Sequence, residues 1–319
     1  MISPHDIHHL SIGLTIVFGG IGGGIGLGLA GLSTIQATTR QPISNESCFK
    51  TMLIGLALIE SGAIIALVTA LILIFGAPEV ITLPIALAEL GMAIAVSSAA
   101  ATVGIASSFV VRSATQSIAR QPFIAQKIST LMLVTQSIIE APVMFAFIIS
   151  LLIRMRITSE LELAESLKLL ASGACMAIGC WGPSVGQAML ASASCRTMGL
   201  FKNAYSKIFP FTILCQAVIE TPLAFCLLFS LLIIFSPIAP NATSLVTAIM
   251  PFVVAAFAMG VGSLGPGIGM GYVASRSACH LASEPSQYST LLRTTLLAIA
   301  FIESSVVYAM VVALLLIRN

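Results

Sequence analysis

Charge is scarce in this chain. Lys, Arg, Asp and Glu together make up 8% of the 319 residues, and the net charge is only +2. Hydrophobic residues account for 58%, and the mean hydropathy is +1.07, which lies far above the values of soluble globular proteins. The composition therefore excludes a soluble domain and predicts an integral membrane protein. Because the sequence has no basic run interleaved with aromatic residues, we expect no nucleic-acid partner.

Several motifs of catalysis and metal binding are also missing. The chain has one tryptophan, no Gly-x4-Gly-Lys-Ser/Thr phosphate loop and no Cys-x-x-Cys pair among its seven cysteines. Most of those cysteines lie inside apolar runs, where a thiol acts as a small packing residue. We therefore expect no catalytic residue, no metal site and no cofactor.

The apolar residues fall into eight long segments. At about 1.5 Å of rise per residue, each segment is long enough to cross a hydrocarbon core of about 30 Å as a helix. The segments cover approximately residues 8–37, 50–75, 84–115, 127–153, 166–197, 207–234, 246–278 and 290–317. This pattern predicts an all-α membrane protein with eight transmembrane helices.

Four of these segments carry a glutamate in their middle. Glu60, Glu140, Glu220 and Glu303 follow one another at nearly equal intervals along the chain. A carboxylate in the bilayer centre costs roughly 2.5–3.5 kcal/mol on insertion scales, so such a residue indicates function. The recurrence predicts four tandem helical hairpins at 1–77, 78–156, 157–238 and 239–319, each with one ion-binding glutamate.

The first helix of each hairpin has a small residue at every second position. When the four hairpins are aligned on their glutamates, the first of these positions holds Gly22, Thr102, Gly182 and Gly265; the second holds Gly24, Gly104, Ser184 and Gly267; the third holds Gly26, Ala106, Gly186 and Gly269; and the fourth holds Gly28, Ser108, Ala188 and Gly271. Positions two apart lie on nearly opposite sides of a helix, and small residues allow close helix approach. The pattern predicts an inner helix with a close neighbour on each side, as in a closed ring.

Basic residues gather at the loops inside the hairpins. Ten of the fourteen lie there: Arg40, Lys50, Arg112, Arg120, Lys127, Arg196, Lys202, Lys207, Arg276 and Arg293. This bias predicts cytoplasmic hairpin loops and both termini outside. The segment 154–168 carries three basic and three acidic residues, and we expect it to be a solvated linker.

A small-residue inner helix, an Arg-Gln-Pro loop and an outer helix with one mid-membrane glutamate resemble the c-subunit of F-type ATP synthases. The loop is intact as Arg40-Gln41-Pro42 and as Arg120-Gln121-Pro122, whereas hairpins three and four have Leu200-Phe201-Lys202 and Ser283-Glu284-Pro285. The likeness covers nearly the whole chain, as four hairpins fused end to end.

The resemblance implies a non-catalytic subunit that assembles with copies of itself into a two-layer rotor ring. Reversible protonation of each glutamate would couple ion translocation to rotation and to ATP synthesis or hydrolysis. The implied partners are a stator subunit with an essential arginine, central-stalk subunits that touch the Arg-Gln-Pro loops, and membrane lipids. The implied location is the inner membrane of a bacterial cell.

The coupling ion depends on residues beside the glutamate. Sodium-binding relatives use an inner-helix Gln, a hydroxyl directly after the Glu and a Tyr a little more than one turn later. No hairpin here has the full set, because Gln187 and Thr221 lack the Tyr, and Ser304 and Tyr308 lack the Gln. The resemblance therefore favours protons, with sodium as the alternative. The candidate supporting residues are Gln136, Gln216, Gln187, Ser61, Thr221, Ser304 and Tyr308.

Other classes of protein remain open at this point. Vacuolar or archaeal proteolipids also resemble fused hairpins, although many keep a carboxylate in only one hairpin of two. A secondary transporter can be built from internal repeats, but those repeats are often inverted and their binding helices broken. Here we expect unbroken helices apart from interruptions at Pro142 and Pro222. A purely structural membrane scaffold would not retain four buried carboxylates.

Overall fold

The structure, a computed structural model, describes residues 3–201, 203–238 and 244–318. Within these ranges the regular structure is helical, and eight helices are long and apolar enough to cross a membrane. This confirms the prediction of eight transmembrane helices. The predicted hairpin boundaries near 77 and 156 lie at the connections that follow the second and fourth spans, and residues 239–243 lie outside the described ranges.

Three of the eight spans are interrupted once, so the chain has eleven α-helices in its described part. They are α1 (Pro4–Arg40), α2 (Asn45–Phe75), α3 (Leu83–Arg120), α4 (Ala125–Ile139), α5 (Ala141–Arg156), α6 (Leu163–Gly179), α7 (Trp181–Leu200), α8 (Tyr205–Ile219), α9 (Thr221–Phe235), α10 (Leu245–Ser283) and α11 (Tyr288–Arg318).

Each of the three interruptions lies just before a proline. They fall at Glu140, Cys180 and Glu220, and a proline follows closely after each. Proline has no N–H to donate to the carbonyl four residues earlier, and its ring crowds that carbonyl. The breaks at two glutamates follow from Pro142 and Pro222. The break at Cys180, before Pro183, lies in an inner helix, where the expectation of an unbroken helix is wrong.

The loops inside the hairpins share one backbone conformation. Gln41, Gln121, Phe201 and Glu284 all have φ between −142° and −127° and ψ between 68° and 89°. In each case the backbone N–H donates to the carbonyl four residues earlier, which closes the last turn of the inner helix. The fourth loop also keeps the short 3₁₀ turn of the first two, at Pro285–Gln287, although its side chains differ. In the third loop the comparison ends at Phe201, because Lys202 lies outside the described residues.

The spans form two rows. The inner row runs from α1 through α3 to α6 and α7, and ends at α10, with each helix in contact with the next. The outer row runs in the same order from α2 through α4 and α5, then α8 and α9, to α11. The first three outer spans each cover the seam between two inner helices, whereas α11 packs on α10 alone, so the hairpins lie side by side in chain order.

Small residues bring the inner helices of hairpins one and two together. A Cβ added at Gly22 would lie 2.7 Å from the carbonyl oxygen of Ala101, and one added at Gly104 would lie 2.8 Å from the carbonyl carbon of Gly22. No side chain fits at such distances, so the glycines are required for the contact.

The same contact recurs between hairpins three and four. A Cβ at Gly182 would lie 2.6 Å from the oxygen of Ser263, and one at Gly271 would lie 2.6 Å from the carbonyl carbon of Gly186. In both pairs, the first and third small positions of one inner helix face the second and fourth small positions of the next. This confirms the prediction of two small-residue stripes on opposite sides of the inner helix.

One stripe is left without a neighbour at each end of the row. Added Cβ atoms at Gly24 and Gly28 of α1 would meet nothing within 4 Å among the described residues, and neither would one at Gly265 of α10. In hairpins two and four, the stripe equivalent to Gly24 and Gly28 packs against the preceding hairpin. In hairpins one and three, the stripe equivalent to Gly265 packs against the following hairpin. The two ends are therefore complementary head to tail.

The expectation of a solvated linker holds for the middle of the segment 154–168, where residues 158–160 are exposed, but is wrong at both ends. Arg154 donates a hydrogen bond to the carbonyl oxygen of Gly76 in hairpin one. The guanidinium of Arg156 lies 5.0 Å from the ring centre of Phe235 in hairpin three. Lys168 is only 2% exposed and donates to the carbonyl oxygen of Ser236 over 2.8 Å. These basic side chains join neighbouring helices at one end of the bundle.

Candidate functional site

All four glutamates lie in the outer row of helices. Glu60 is on α2 and Glu303 on α11, while Glu140 and Glu220 occupy the breaks between α4 and α5 and between α8 and α9. Glu140, Glu220 and Glu303 are half-buried, whereas Glu60 is exposed. In the described structure, no helix covers the side of hairpin one that faces away from hairpin two, which leaves Glu60 uncovered.

Glu140 has the most complete hydrogen bonding of the four. Its Oε2 accepts from the hydroxyl of Ser61 over 2.8 Å, and its Oε1 accepts from the hydroxyl of Ser107 over 3.1 Å. Ser107 belongs to the inner helix of the same hairpin, but Ser61 belongs to the outer helix of the preceding one. The site is therefore formed between two hairpins.

This geometry corrects the grouping of the supporting residues by hairpin. The residue directly after one glutamate faces the next glutamate, so Ser61 belongs with Glu140 rather than with Glu60. The repeat predicts that Thr221 faces Glu303 in the same way. In the structure the Thr221 hydroxyl donates to the carbonyl of Val218 in its own outer span over 2.8 Å.

The site of Glu220 has a different set of neighbours. At the position of Ser107 it has Gln187, which is fully buried and whose amide oxygen and nitrogen have no hydrogen-bond partner among the described residues. At the position of Ser61 it has Ala141, which offers no hydroxyl. Glu220 thus lacks both hydroxyl donors of Glu140, and Gln187 is the polar group available on its inner helix.

Gln136 and Gln216, one turn before their glutamates, form hydrogen bonds with other groups. The amide nitrogen of Gln136 donates to the carbonyl oxygen of Gly55 over 3.0 Å, and that of Gln216 donates to the oxygen of Thr135 over 3.3 Å. Both acceptors belong to the preceding hairpin. The two glutamine side chains thus join adjacent outer helices rather than hold their own glutamates.

The last two supporting candidates lie at the free end of the outer row. Ser304 donates to the carbonyl oxygen of Phe301 in its own helix over 2.7 Å. The side chain of Tyr308 is 67% exposed. Both residues face outward from the last hairpin, where a following hairpin would lie.

The loop residues end the inner helices at a common level. Arg40 and Arg120 are the last residues of α1 and α3, and both are exposed. Gln41 and Gln121 then close the helix, and Pro42 and Pro122 each begin a short 3₁₀ turn. Lys202, which takes the place of the proline in hairpin three, lies outside the described residues.

Ser107 is the site residue that sequence reasoning passed over. At the same register relative to the glutamate, the other three hairpins have Leu27, Gln187 and Met270. The sequence signal for this role is that Ser107 is polar where two of the other hairpins have the apolar residues Leu27 and Met270. No group of three His, Cys, Asp or Glu side chains that could hold a metal comes together in the described part of the chain.

Four helical hairpins in two rows, each with one carboxylate in the middle of its outer span, define a membrane proteolipid built from tandem units. The family model for the ATP synthase C-subunit matches residues 10–73, 90–153 and 253–316. The chain therefore belongs to the ATP synthase C-subunit family, as four fused hairpins. The third hairpin, with its altered loop and Gln187, lies outside the matched ranges.

Curated relatives are similar to one hairpin of the chain. The ATP synthase c-subunit of Citrifermentans bemidjiense is 46% identical over 69 residues, which is 22% of this chain and 76% of the relative. The ATP synthase c-subunit of Dehalococcoides mccartyi is 44% identical over 66 residues, covering 21% of this chain and 87% of the relative. The chain is thus a membrane subunit of the ATP synthase type. The part of each relative that matches is about one hairpin long, and this chain contains four such hairpins.

Proposed function

We propose that this chain forms the rotor ring of a rotary ATP synthase and carries protons on Glu60, Glu140, Glu220 and Glu303. The observation that carries the proposal is the Glu140 site, where Ser61 of one hairpin and Ser107 of the next hold the two carboxyl oxygens. A site built between adjacent hairpins and open to the lipid on its outer side suits a carboxyl group that must be neutral in lipid.

Ring closure follows from the two unmatched stripes. Within the chain, Gly22 of one inner helix packs against Gly104 of the next. In the ring, Gly265 of one chain packs against Gly24 of the next chain in the same way. In that arrangement Ser304 of one copy lies beside Glu60 of the next, as Ser61 lies beside Glu140. Identical chains joined head to tail form a ring when the rotation closes.

The role is mechanical rather than catalytic. In the proposed cycle, each glutamate is protonated while it moves through lipid and ionised while it faces a stator arginine on another subunit. One elementary charge that crosses 100 mV yields about 2.3 kcal/mol, so four sites at about 200 mV yield roughly 18 kcal/mol per chain. A hairpin that has lost its carboxylate cannot be ionised at the stator arginine, so rotation stops when that hairpin arrives there.

Protons are the proposed ion because the oxygen ligands differ from site to site. Glu140 has two hydroxyl neighbours, Glu220 has Gln187 and Ala141, and Glu303 has Met270 and Thr221 in the equivalent places. A sodium ion needs several oxygen ligands at every site that it visits on one rotor. A proton needs only the carboxyl group, which all four hairpins have.

The Arg-Gln-Pro loops of hairpins one and two are proposed to contact the central stalk from the cytoplasmic side, with both termini on the outer side of a bacterial inner membrane. The shared backbone conformation at Gln41, Gln121, Phe201 and Glu284, where the inner helices end, supports one common docking level. The bias of basic residues toward these loops supports the orientation.

The test is ATP-driven proton pumping by the assembled complex in vesicles. We expect Glu140→Gln to abolish pumping and to leave the ring assembled. The matched control is Glu79→Gln, at an exposed glutamate in the connection between hairpins one and two, which should pump at the wild-type rate. Normal pumping by Glu140→Gln would refute the proposed role of the carboxyl group.

A further inference from the structure

A groove of about 670 Å³ lies between the inner helices of hairpins two and three. Its walls are α3, from Ala101 to Arg120, and α7. The groove lies on the side of the inner row that faces away from the outer row.

The backbones of hairpins two and three approach closely on either side of the groove, where Gly173 meets Gly91 and Gly199 meets Ser117. Between these two contacts α3 has Thr102 and Ala106 at the positions where the other inner helices have glycine, and their side chains leave room for the groove. The groove is thus a consequence of the sequence of these two hairpins.

One half of the groove is cationic. Arg112, Arg120 and Arg196 line it, and all three are exposed. Across residues 3–201, 203–238 and 244–318, none of them forms an ion pair with a carboxylate. The hydroxyl of Ser192, on the same wall, is buried and has no hydrogen-bond partner in that part of the chain.

The depth of Arg112 makes its lack of a partner costly. Ser107 is level with Glu140 through their hydrogen bond. Arg112 lies further along α3 toward the loop, about 8 Å from the glutamate level at the rise of a helix. Arg side chains inside a membrane are expensive and almost always pair with another group. An anion beside Arg112 would supply such a partner.

The other half of the groove is apolar. Trp181 and Phe109 are 50% and 44% exposed there, and Val185 lies between them along the wall. The indole N–H of Trp181 donates to the hydroxyl of Ser98 in hairpin two over 2.7 Å, which fixes the ring at the deep end of the groove. From Ala101 to Arg120 the groove extends about 28 Å, comparable to the length of one lipid molecule.

Assembly of the ring does not cover this groove. Its two walls already have neighbours on both sides within the chain, because α3 contacts α1 and α7 contacts α10. The pair of arginines is also particular to these hairpins, since Leu32 and Ser275 stand at the position of Arg112, and Gln36 and Cys279 at that of Arg196.

We propose that the groove binds one anionic phospholipid per chain on the inner side of the bundle. The phosphate lies between Arg112 and Arg196, with Arg120 at the mouth, and the acyl chains extend along Phe109 and Val185 to Trp181. Charge complementarity and the change from a cationic to an apolar lining along one groove select an amphiphile over free phosphate, which would leave the apolar half unfilled.

The single tryptophan of the chain reports on this site directly. The purified full-length protein is reconstituted in phosphatidylcholine vesicles that contain a small fraction of phosphatidylglycerol brominated on its acyl chains. A second preparation carries the bromine on phosphatidylcholine at the same fraction. We expect brominated phosphatidylglycerol to quench Trp181 well beyond its share of the lipid, and brominated phosphatidylcholine to quench only in proportion.

The double variant Arg112→Gln and Arg196→Gln should reduce the preference for phosphatidylglycerol by at least about tenfold, since both charges contribute to the attraction. The matched control is Arg293→Gln, at an exposed arginine near the loop end of the outer helix α11, which should keep the wild-type preference. Native mass spectrometry of each preparation verifies that the assembly is intact, and should show one retained phosphatidylglycerol per chain in the wild type.

Equal quenching by the two brominated lipids in the wild type would overturn the proposal. So would a double variant that keeps the preference, or a washed wild-type assembly that retains an acidic protein at the loops and no phospholipid. Inorganic phosphate is added in a further experiment at the same concentration as the lipid. If it removes the preference for phosphatidylglycerol, the groove recognises the headgroup alone, which contradicts the role assigned to the apolar half.

Discussion

The hydroxyl of Ser61 donates to Oε2 of Glu140 over 2.8 Å, although 79 residues separate them in the chain. Since the glutamates recur at nearly the same interval, this contact joins one hairpin to the next at the level of the carboxylates. The ion-binding unit is thus the seam between hairpins, and a chain of four hairpins contains three complete seams and two half-seams.

Ser61→Ala is expected to change the chemistry of Glu140 and of no other glutamate. Loss of one of two hydroxyl donors frees the carboxyl group, so a hydrophobic carbodiimide should modify Glu140 roughly threefold faster, in line with a membrane hydrogen bond of about 0.6 kcal/mol. The matched control is Ser137→Ala on α4, whose hydroxyl bonds only its own helix at Leu133. Peptide mass mapping measures the rates. Faster labelling of Glu60 in place of Glu140 would show that the hydroxyl serves its own hairpin.

In the wild type, the same reagent is expected to label Glu60, Glu140, Glu220 and Glu303, and faster at lower pH, because only the protonated carboxyl group reacts. Glu46, which pairs with Lys50 at an exposed position, should stay unlabelled. Sodium at neutral pH should give no protection, since the oxygen ligands differ among the sites. Protection by sodium would reject the proton assignment, and labelling confined to Glu46, Glu79 or Glu160 would reject the sites themselves.

Gly22 and Gly24 lie on opposite sides of α1, so their replacement by leucine should have different effects, one on the stability of the chain and the other on ring assembly. Gly22→Leu places a side chain where a Cβ already lies 2.7 Å from the oxygen of Ala101, so it should destabilise the single chain by roughly 1–3 kcal/mol or more. Gly24→Leu meets nothing within 4 Å in the described part of the single chain, so its melting temperature should be unchanged while ring assembly is lost.

Thermal unfolding of the detergent-solubilised monomer and the yield of rings separate these two effects. If Gly24→Leu forms rings as the wild type does, then the stripe at Gly24 and Gly28 faces something other than a second copy.

The sequence predicts the spans, the four carboxylates and the two stripes because each is a periodic property of a helix or of the hairpin repeat. It does not predict which hydroxyl meets which glutamate, because that depends on the stagger of neighbouring outer helices. The burial of Lys168 was missed for a related reason, since its acceptor, the carbonyl of Ser236, lies 68 residues later at the far end of the same hairpin. The break before Pro183 depends on local packing, because Pro251 and Pro266 lie within an uninterrupted α10.

The central claim is that the chain closes head to tail into a ring of whole four-hairpin units. Native mass spectrometry of the purified ring, combined with rotational averaging of top-view images, tests it most directly. We predict a hairpin count divisible by four, with three chains and twelve hairpins favoured by the close inner contacts at the glycine stripes. A count that is not a multiple of four, or a chain that stays monomeric, would contradict the account.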